Sequence, residues 1–196
     1  MHPEILSLSL FMLGTSCSPG PNNIVASYSG FNFGVKKTFP HILGVIFGFT
    51  TMVIVLNFGL INVFKFYPFL QKLLTIFGSI FLVYLAYKLA FTKNLSENKK
   101  ENPVKFIETF FFQFLNPKGV IVGIIIVSTY VEAGNNFIKY SMWVIGVSFI
   151  CAAISITFWT LVGKFLRKFA TNEKFIKLFN YVMSILLLGC VATFYY

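Results

Sequence analysis

The sequence predicts an all-α integral membrane protein of six transmembrane helices, arranged as a 3+3 inverted repeat in which helices 1 and 4 are discontinuous. Three observations predict it: long uncharged runs, basic residues gathered between them on alternate sides, and a proline-bearing polar string inside the first helix of each half.

Of the 196 residues, 57% are hydrophobic and only 11% are charged, where a soluble domain carries roughly 25%. Residues 5–35, 38–64, 140–163 and 178–196 contain no charged side chain apart from one histidine, His41. A run of about 18 apolar residues is long enough to span the hydrocarbon. Two further runs, 73–91 and 110–131, contain one lysine each. The expected helices are therefore 4–30, 39–63, 69–91, 106–131, 138–163 and 174–195. All are too long to be strands and do not alternate.

The first helix is expected to be a retained span, because Met1-His2-Pro3-Glu4 lacks the positive region of a signal peptide. The second begins near Pro40, suited to a first turn, and its Gly44 and Gly48 permit close backbone approach, within the chain rather than between copies. His41 beside Pro40 is read as a lone interfacial histidine. The tryptophans and Tyr195-Tyr196 suit interfacial anchoring. The third and fourth helices are joined by a polar loop at 92–105, rich in Lys, Glu and Asn. One membrane domain results, with half-repeats of about 1–91 and 106–196.

Lysine and arginine counts orient the chain. Lys36, Lys37, Lys88, Lys93, Lys99, Lys100, Lys105, Lys164, Arg167, Lys168, Lys174 and Lys177 fall on one side; Lys65, Lys72 and Lys139 fall on the other. Positive loops stay cytoplasmic, so both termini are expected outside. The net charge of +10 thus flanks spans and forms no nucleic-acid face. An inverted duplication is hinted at by Pro19 and Pro117, 98 residues apart, and by Gly48 and Gly146 at the same offset.

Ser18-Pro19-Gly20-Pro21-Asn22-Asn23 is an unusual string for the middle of a membrane. Each proline removes a backbone donor, so the helix opens and leaves carbonyls needing partners. The helix start that follows can receive an anionic group, and the two asparagines add neutral donors and acceptors. Asn116-Pro117-Lys118 is the second such string. A lysine at that depth is costly unless paired or facing water. With no acidic residue nearby, Lys118 suits a ligand carboxylate. The candidate substrate-binding residues are Pro19, Gly20, Pro21, Asn22, Asn23, Asn116, Pro117 and Lys118.

At these residues the chain resembles the lysine-exporter (LysE) and homoserine/threonine-resistance (RhtB) family of bacterial amino-acid exporters. The resemblance runs through most of the length: Pro19-Gly20-Pro21, Gly30 and Gly34 with Lys36-Lys37, Gly44 and Gly48, the 78–87 stretch, and Asn116-Pro117-Lys118. It implies six helices in the bacterial inner membrane, export of amino acids or related metabolites, and coupling to the proton gradient. The chain departs from the family twice. Many members carry an acid where this chain has Asn22, and Glu108 stands where a small residue is expected. The chain has no Asp, and its six Glu lie outside the spans or near their ends, so no carboxylate proton carrier is readable.

Three other functions compete with amino-acid export. Heavy-metal efflux needs soft donors, but Cys17, Cys151 and Cys190 are scattered over three spans. Thiol–disulfide electron transfer needs a partner thiol for Cys17, and the 98-residue offset supplies Leu115. A structural membrane protein would have no use for a buried lysine beside broken helices. No acid pair, triad or metal cluster suggests an enzyme or calls for a cofactor. The expected partners are an amino-acid substrate and membrane lipid. Oligomeric state is left open, with a homo-oligomer among the arrangements allowed.

Overall fold

The structure, a computed structural model, describes residues 3–91, 103–132, 134–170 and 172–195. Most of the expected loop at 92–105 lies outside the described residues, as does Tyr196.

The chain is helical throughout its described length. In order it forms α1 (Pro3–Cys17), α2 (Pro21–Val55), a π-helical turn (Leu56–Leu60), α3 (Ile61–Phe66), α4 (Pro68–Ala90), α5 (Phe106–Leu115), α6 (Pro117–Tyr130), α7 (Phe137–Leu166), a 3-10 turn (Arg167–Phe169) and α8 (Glu173–Ala192). Four stretches are long and apolar enough to cross a bilayer: Pro21–Gly59, Pro68–Ala90, Phe137–Phe169 and Glu173–Ala192. The bent pair α5 and α6, with 63° between its halves, gives a fifth. Large apolar side chains stand uncovered along these helices, among them Phe77, Ile80, Met142, Phe158, Leu178 and Ile185. An apolar surface this extensive requires lipid around it. The protein is a multi-pass membrane protein.

Helix 35 residues long would overshoot a bilayer if straight, but α2 is not straight. Gly34 interrupts it with φ 77° and ψ 169°, a conformation that side chains with a Cβ disfavour. The Thr38 hydroxyl donates to the Gly34 carbonyl at 2.8 Å, bracing the turn. Helix resumes directly after Gly34, earlier than the expected start at 39, so Pro40 lies beyond the first turn.

Glycines let the helices pack closely. Gly30 on α2 abuts the Thr160 backbone of α7, and Gly163 on α7 abuts the Ser27 backbone of α2, leaving no space for a Cβ at either. Gly44 and Gly48 receive α5: a Cβ at either would stand 2.7 Å from the carbonyl oxygens of Phe106 and Phe110 respectively. The GxxxG pair therefore works within the chain. Gly146 has open space around it, so its match to Gly48 carries no common packing role.

Contacts between side chains sort the helix ends into two groups. Phe31, just before the Gly34 turn, stacks on Phe179 of α8 at 3.8 Å and lies under the Arg167 guanidinium at 5.4 Å. At the opposite group, Ser7 of α1 bonds Tyr130 of α6 at 3.0 Å, and Asn57 donates to Ser141 of α7 at 2.8 Å. Between them, Met12, Met52, Val53 and Ile126 form a buried core around the two helix breaks.

Candidate functional site

The break between α1 and α2 can be followed carbonyl by carbonyl. Pro19 cannot donate to the Thr15 carbonyl, four residues back, and the Ser18 hydroxyl does so instead at 2.7 Å. Pro21 cannot donate to the Cys17 carbonyl, and the Trp159 indole of α7 takes its place at 3.2 Å. The Ser16 carbonyl accepts from the Asn23 amide and the Ser155 hydroxyl, each at 2.6 Å. The Ser18 carbonyl accepts from Asn23 at 2.9 Å and from Lys118 at 3.2 Å, and the Pro19 carbonyl from Lys118 at 3.3 Å. Helical bonding resumes when Ile24 N–H donates to the Gly20 carbonyl. Both carbonyls that Pro19 and Pro21 orphan have found a replacement donor, as burial away from water demands.

The second break is shorter. Asn116 adopts φ −85° and ψ 102°, the extended geometry that a following proline imposes, and the chain turns there. Lys118 is thereby placed in the first turn of α6, where a cation opposes the helix dipole. Its ammonium reaches away from α6 to the C-terminal end of α1, where the carbonyl oxygens carry partial negative charge. It also bonds the Ser18 hydroxyl at 2.7 Å. The sequence left Lys118 without a resident partner. The structure corrects that: three neutral oxygens hold it.

Around this tie lies a cavity of about 70 Å³, lined by both breaks and by α2, α5 and α7. Six of the eight predicted residues line it: Gly20, Pro21, Asn22, Asn23, Asn116 and Lys118. Pro19 and Pro117 create the breaks without lining the space between them. Asn23 lines it but is committed elsewhere, since its amide holds Ser16 and Ser18 and its Oδ1 lies 3.4 Å from the Ser155 hydroxyl. Among the described lining residues Lys118 is the single charge.

Three residues at the site were not anticipated. Gln113 of α5 is fully buried and forms a reciprocal amide pair with Asn22, at 2.8 Å in one direction and 3.1 Å in the other. His41, read as interfacial, is 2% exposed and bonds Thr109 of α5 and the Asn22 carbonyl. Trp159, expected at an interface, instead braces the break. The signal for Gln113 was present: it is the one amide in the apolar α5, three residues before Asn116.

Residues 13–196 match the family model described as LysE type translocator. The chain belongs to the LysE-type translocator family. It is 30% identical over 201 residues to the cysteine/O-acetylserine efflux proteins of Salmonella choleraesuis and Salmonella typhimurium, and 28% identical over 204 residues to that of Escherichia coli. Each alignment covers 100% of both chains. No solved structure matches the chain. The protein is thus a membrane translocator and not an enzyme.

One polar atom in the cavity wall is left unsatisfied. Asn116 is 3% exposed and its Oδ1 has no hydrogen-bond partner. It is the one unpartnered buried side-chain oxygen, among the described residues, that lines the cavity. A buried polar atom left unmade costs about 1–3 kcal/mol. Cys17, Cys151 and Cys190 are free thiols, and among the described residues no three His, Cys, Asp or Glu side chains group as metal donors.

Proposed function

We propose that this translocator exports small neutral amino acids of the cysteine/O-acetylserine type from the bacterial cytoplasm, coupled to the proton gradient. One observation carries the reading: the two broken helices meet around a polar cavity, with Lys118 of one tied to the exposed carbonyls of the other. The relatives named for cysteine and O-acetylserine efflux supply the substrate class.

A zwitterion fits the cavity's chemistry. Its carboxylate offers Lys118 a charged acceptor, a stronger bond than those from neutral carbonyls. Its ammonium finds an acceptor in the unpartnered Asn116 Oδ1. A second positive charge, as on a lysine substrate, would lie near Lys118 with no lining carboxylate to receive it. When the carboxylate draws Lys118 away from Ser18 and Pro19, the two breaks separate, and rocking of the halves then exposes the site to the other side.

The proposed topology is six crossings, counting α1 with residues 21–33 as the first and residues 35–58 as the second. The halves, about 1–91 and 106–196, are related by inversion, with both termini outside the inner membrane. Support comes from matched pairings: α1 packs on α7 as α5 packs on α2, and α4 packs on α8. The Ser184 hydroxyl donates to the Ala86 carbonyl, its own mate at the 98-residue offset, at 2.8 Å.

The test is efflux of L-cysteine and O-acetyl-L-serine from proteoliposomes, with lysine and cadmium as comparison solutes. Export of cadmium, or of lysine in preference to the neutral amino acids, would overturn the reading.

A further inference from the structure

We propose that His41 is the proton-carrying residue of this translocator, joined to the substrate cavity through Asn22. The inference rests on the exporter reading above and assigns the coupling step to one side chain.

Proton coupling needs a titratable group that is buried in one state and linked to the site. The chain has no Asp, and none of its six Glu lies deep in a span. Glu108, the one on α5, caps its helix by accepting the Lys105 N–H at 3.0 Å. His41 is 2% exposed and both ring nitrogens are engaged: Nδ1 lies 2.9 Å from Thr109 Oγ1 and Nε2 lies 3.4 Å from the Asn22 carbonyl. Asn22 lines the cavity, and its side chain pairs with Gln113, which also lines it. On the other flank, the basic turn at Lys36-Lys37 is exposed, five and four residues before the ring.

A carbonyl only accepts, so Nε2 carries a hydrogen; in the neutral ring Nδ1 then accepts from the Thr109 hydroxyl. A second proton on Nδ1 requires the Thr109 hydroxyl to turn its hydrogen away, toward the carbonyl of the preceding helical turn, a local bond that threonine commonly makes. Both ring nitrogens would then donate.

The charged residues on the elements around the ring are Lys36 and Lys37 on α2, Lys105 and Glu108 at the start of α5, Lys118 on α6 and Lys164 on α7. None of them bonds the imidazole. A charged ring in this setting has only neutral partners and is costly while buried. Proton uptake therefore favours a conformation in which α2 and α5 admit water, and proton loss favours the closed one. The bond to Asn22 passes that preference to the break at which substrate is held.

The test uses His41→Gln, whose amide can donate to the Asn22 carbonyl and accept from Thr109 but cannot titrate. In proteoliposomes with O-acetyl-L-serine, we expect exchange of labelled for unlabelled substrate to persist, while accumulation driven by a pH difference is lost and the pH dependence of exchange flattens. Uphill accumulation at the wild-type level, with the wild-type pH profile, overturns the proposal. The chain has one other histidine, His2, so a second measurement does not depend on that variant folding. In His2→Gln protein with labelled histidine, O-acetyl-L-serine should shift the midpoint at which the single imidazole signal titrates. A ring that stays neutral throughout also overturns the proposal. Failure of the wild-type protein to exchange O-acetyl-L-serine or L-cysteine would count against the exporter reading instead, and the imidazole titration would still decide His41.

Discussion

The ammonium of Lys118 lies 2.7 Å from the Ser18 hydroxyl and 3.2 Å from the Ser18 carbonyl, so a side chain from one broken helix completes the end of the other. Lys118 then has two separable duties, donating hydrogen bonds and carrying charge. Glutamine retains the first and lacks the second. We expect Lys118→Gln to keep much of the thermal stability and to lose substrate binding. Lys118→Ala should lose both, at about 1–3 kcal/mol for a buried polar group left unpaired. Melting temperature and O-acetylserine binding, measured on both variants, check this. Wild-type affinity in Lys118→Gln would remove the charge from the mechanism.

Gly20 tests the same tie from the opposite side. Its φ of −168° is extended backbone open to any residue, so alanine there is not strained by conformation. A Cβ would stand 2.9 Å from Lys118 Nζ and 3.2 Å from its Cδ. Gly20→Ala should therefore push the ammonium off Ser18 and Pro19 and weaken export. Gly14→Ala, with nothing within 4 Å of its added Cβ, should transport normally and gain stability on the order of 0.5–1 kcal/mol, as Gly→Ala does inside helices. Equal transport rates in the two variants would contradict the role given to the tie.

The sequence made the breaks legible because proline acts locally: the missing donors at Pro19, Pro21 and Pro117 follow from the residues alone. Ser18 and Asn23 fill vacancies locally, but the other fillers were not legible, because they come from distant helices. Trp159 and Ser155 are about 140 residues from the carbonyls they serve. His41 was misread for the same reason. Its position beside the basic turn suggested an interface, and only the packing of α5 onto Gly44 and Gly48 buries it. The long helix α2 shows the converse: hydropathy separated its two segments, while Gly34 supplied the bend between them.

Asn116 separates function from stability. Its Oδ1 is buried without a partner, an arrangement that lowers stability unless a ligand completes it. Leucine has a similar size and tolerates the extended geometry that precedes Pro117. Asn116→Leu should raise the melting temperature, by the equivalent of about 1–3 kcal/mol, while abolishing transport of neutral amino acids. A variant that is both less stable and fully active would show that Asn116 serves packing instead.

Topology rests on charge, and the fold gives that charge a common location. Phe31 at the end of the first α2 segment touches Arg167 and stacks on Phe179, drawing the basic residues that follow α7 and begin α8 toward the Lys36-Lys37 turn. Thr109 bonds His41, which brings Lys105 to that end as well. Lys139, over the Trp143 ring at 4.9 Å, belongs to the other group, near Asn57 and Ser141. Basic residues are held to the cytoplasmic side during insertion, so the crowded end should face inward. A reporter active only outside the membrane should therefore work when fused after Tyr196 and fail when inserted at Lys36-Lys37. Moving charge should move the chain: neutralising the basic residues at 164–177 while adding lysines beside Lys139 should produce molecules of mixed orientation. A cytoplasmic reading from the C-terminal fusion of the unaltered chain would leave either an odd number of crossings, which the proposed pairing of halves excludes, or an inverted orientation, which overturns the placement of both termini outside.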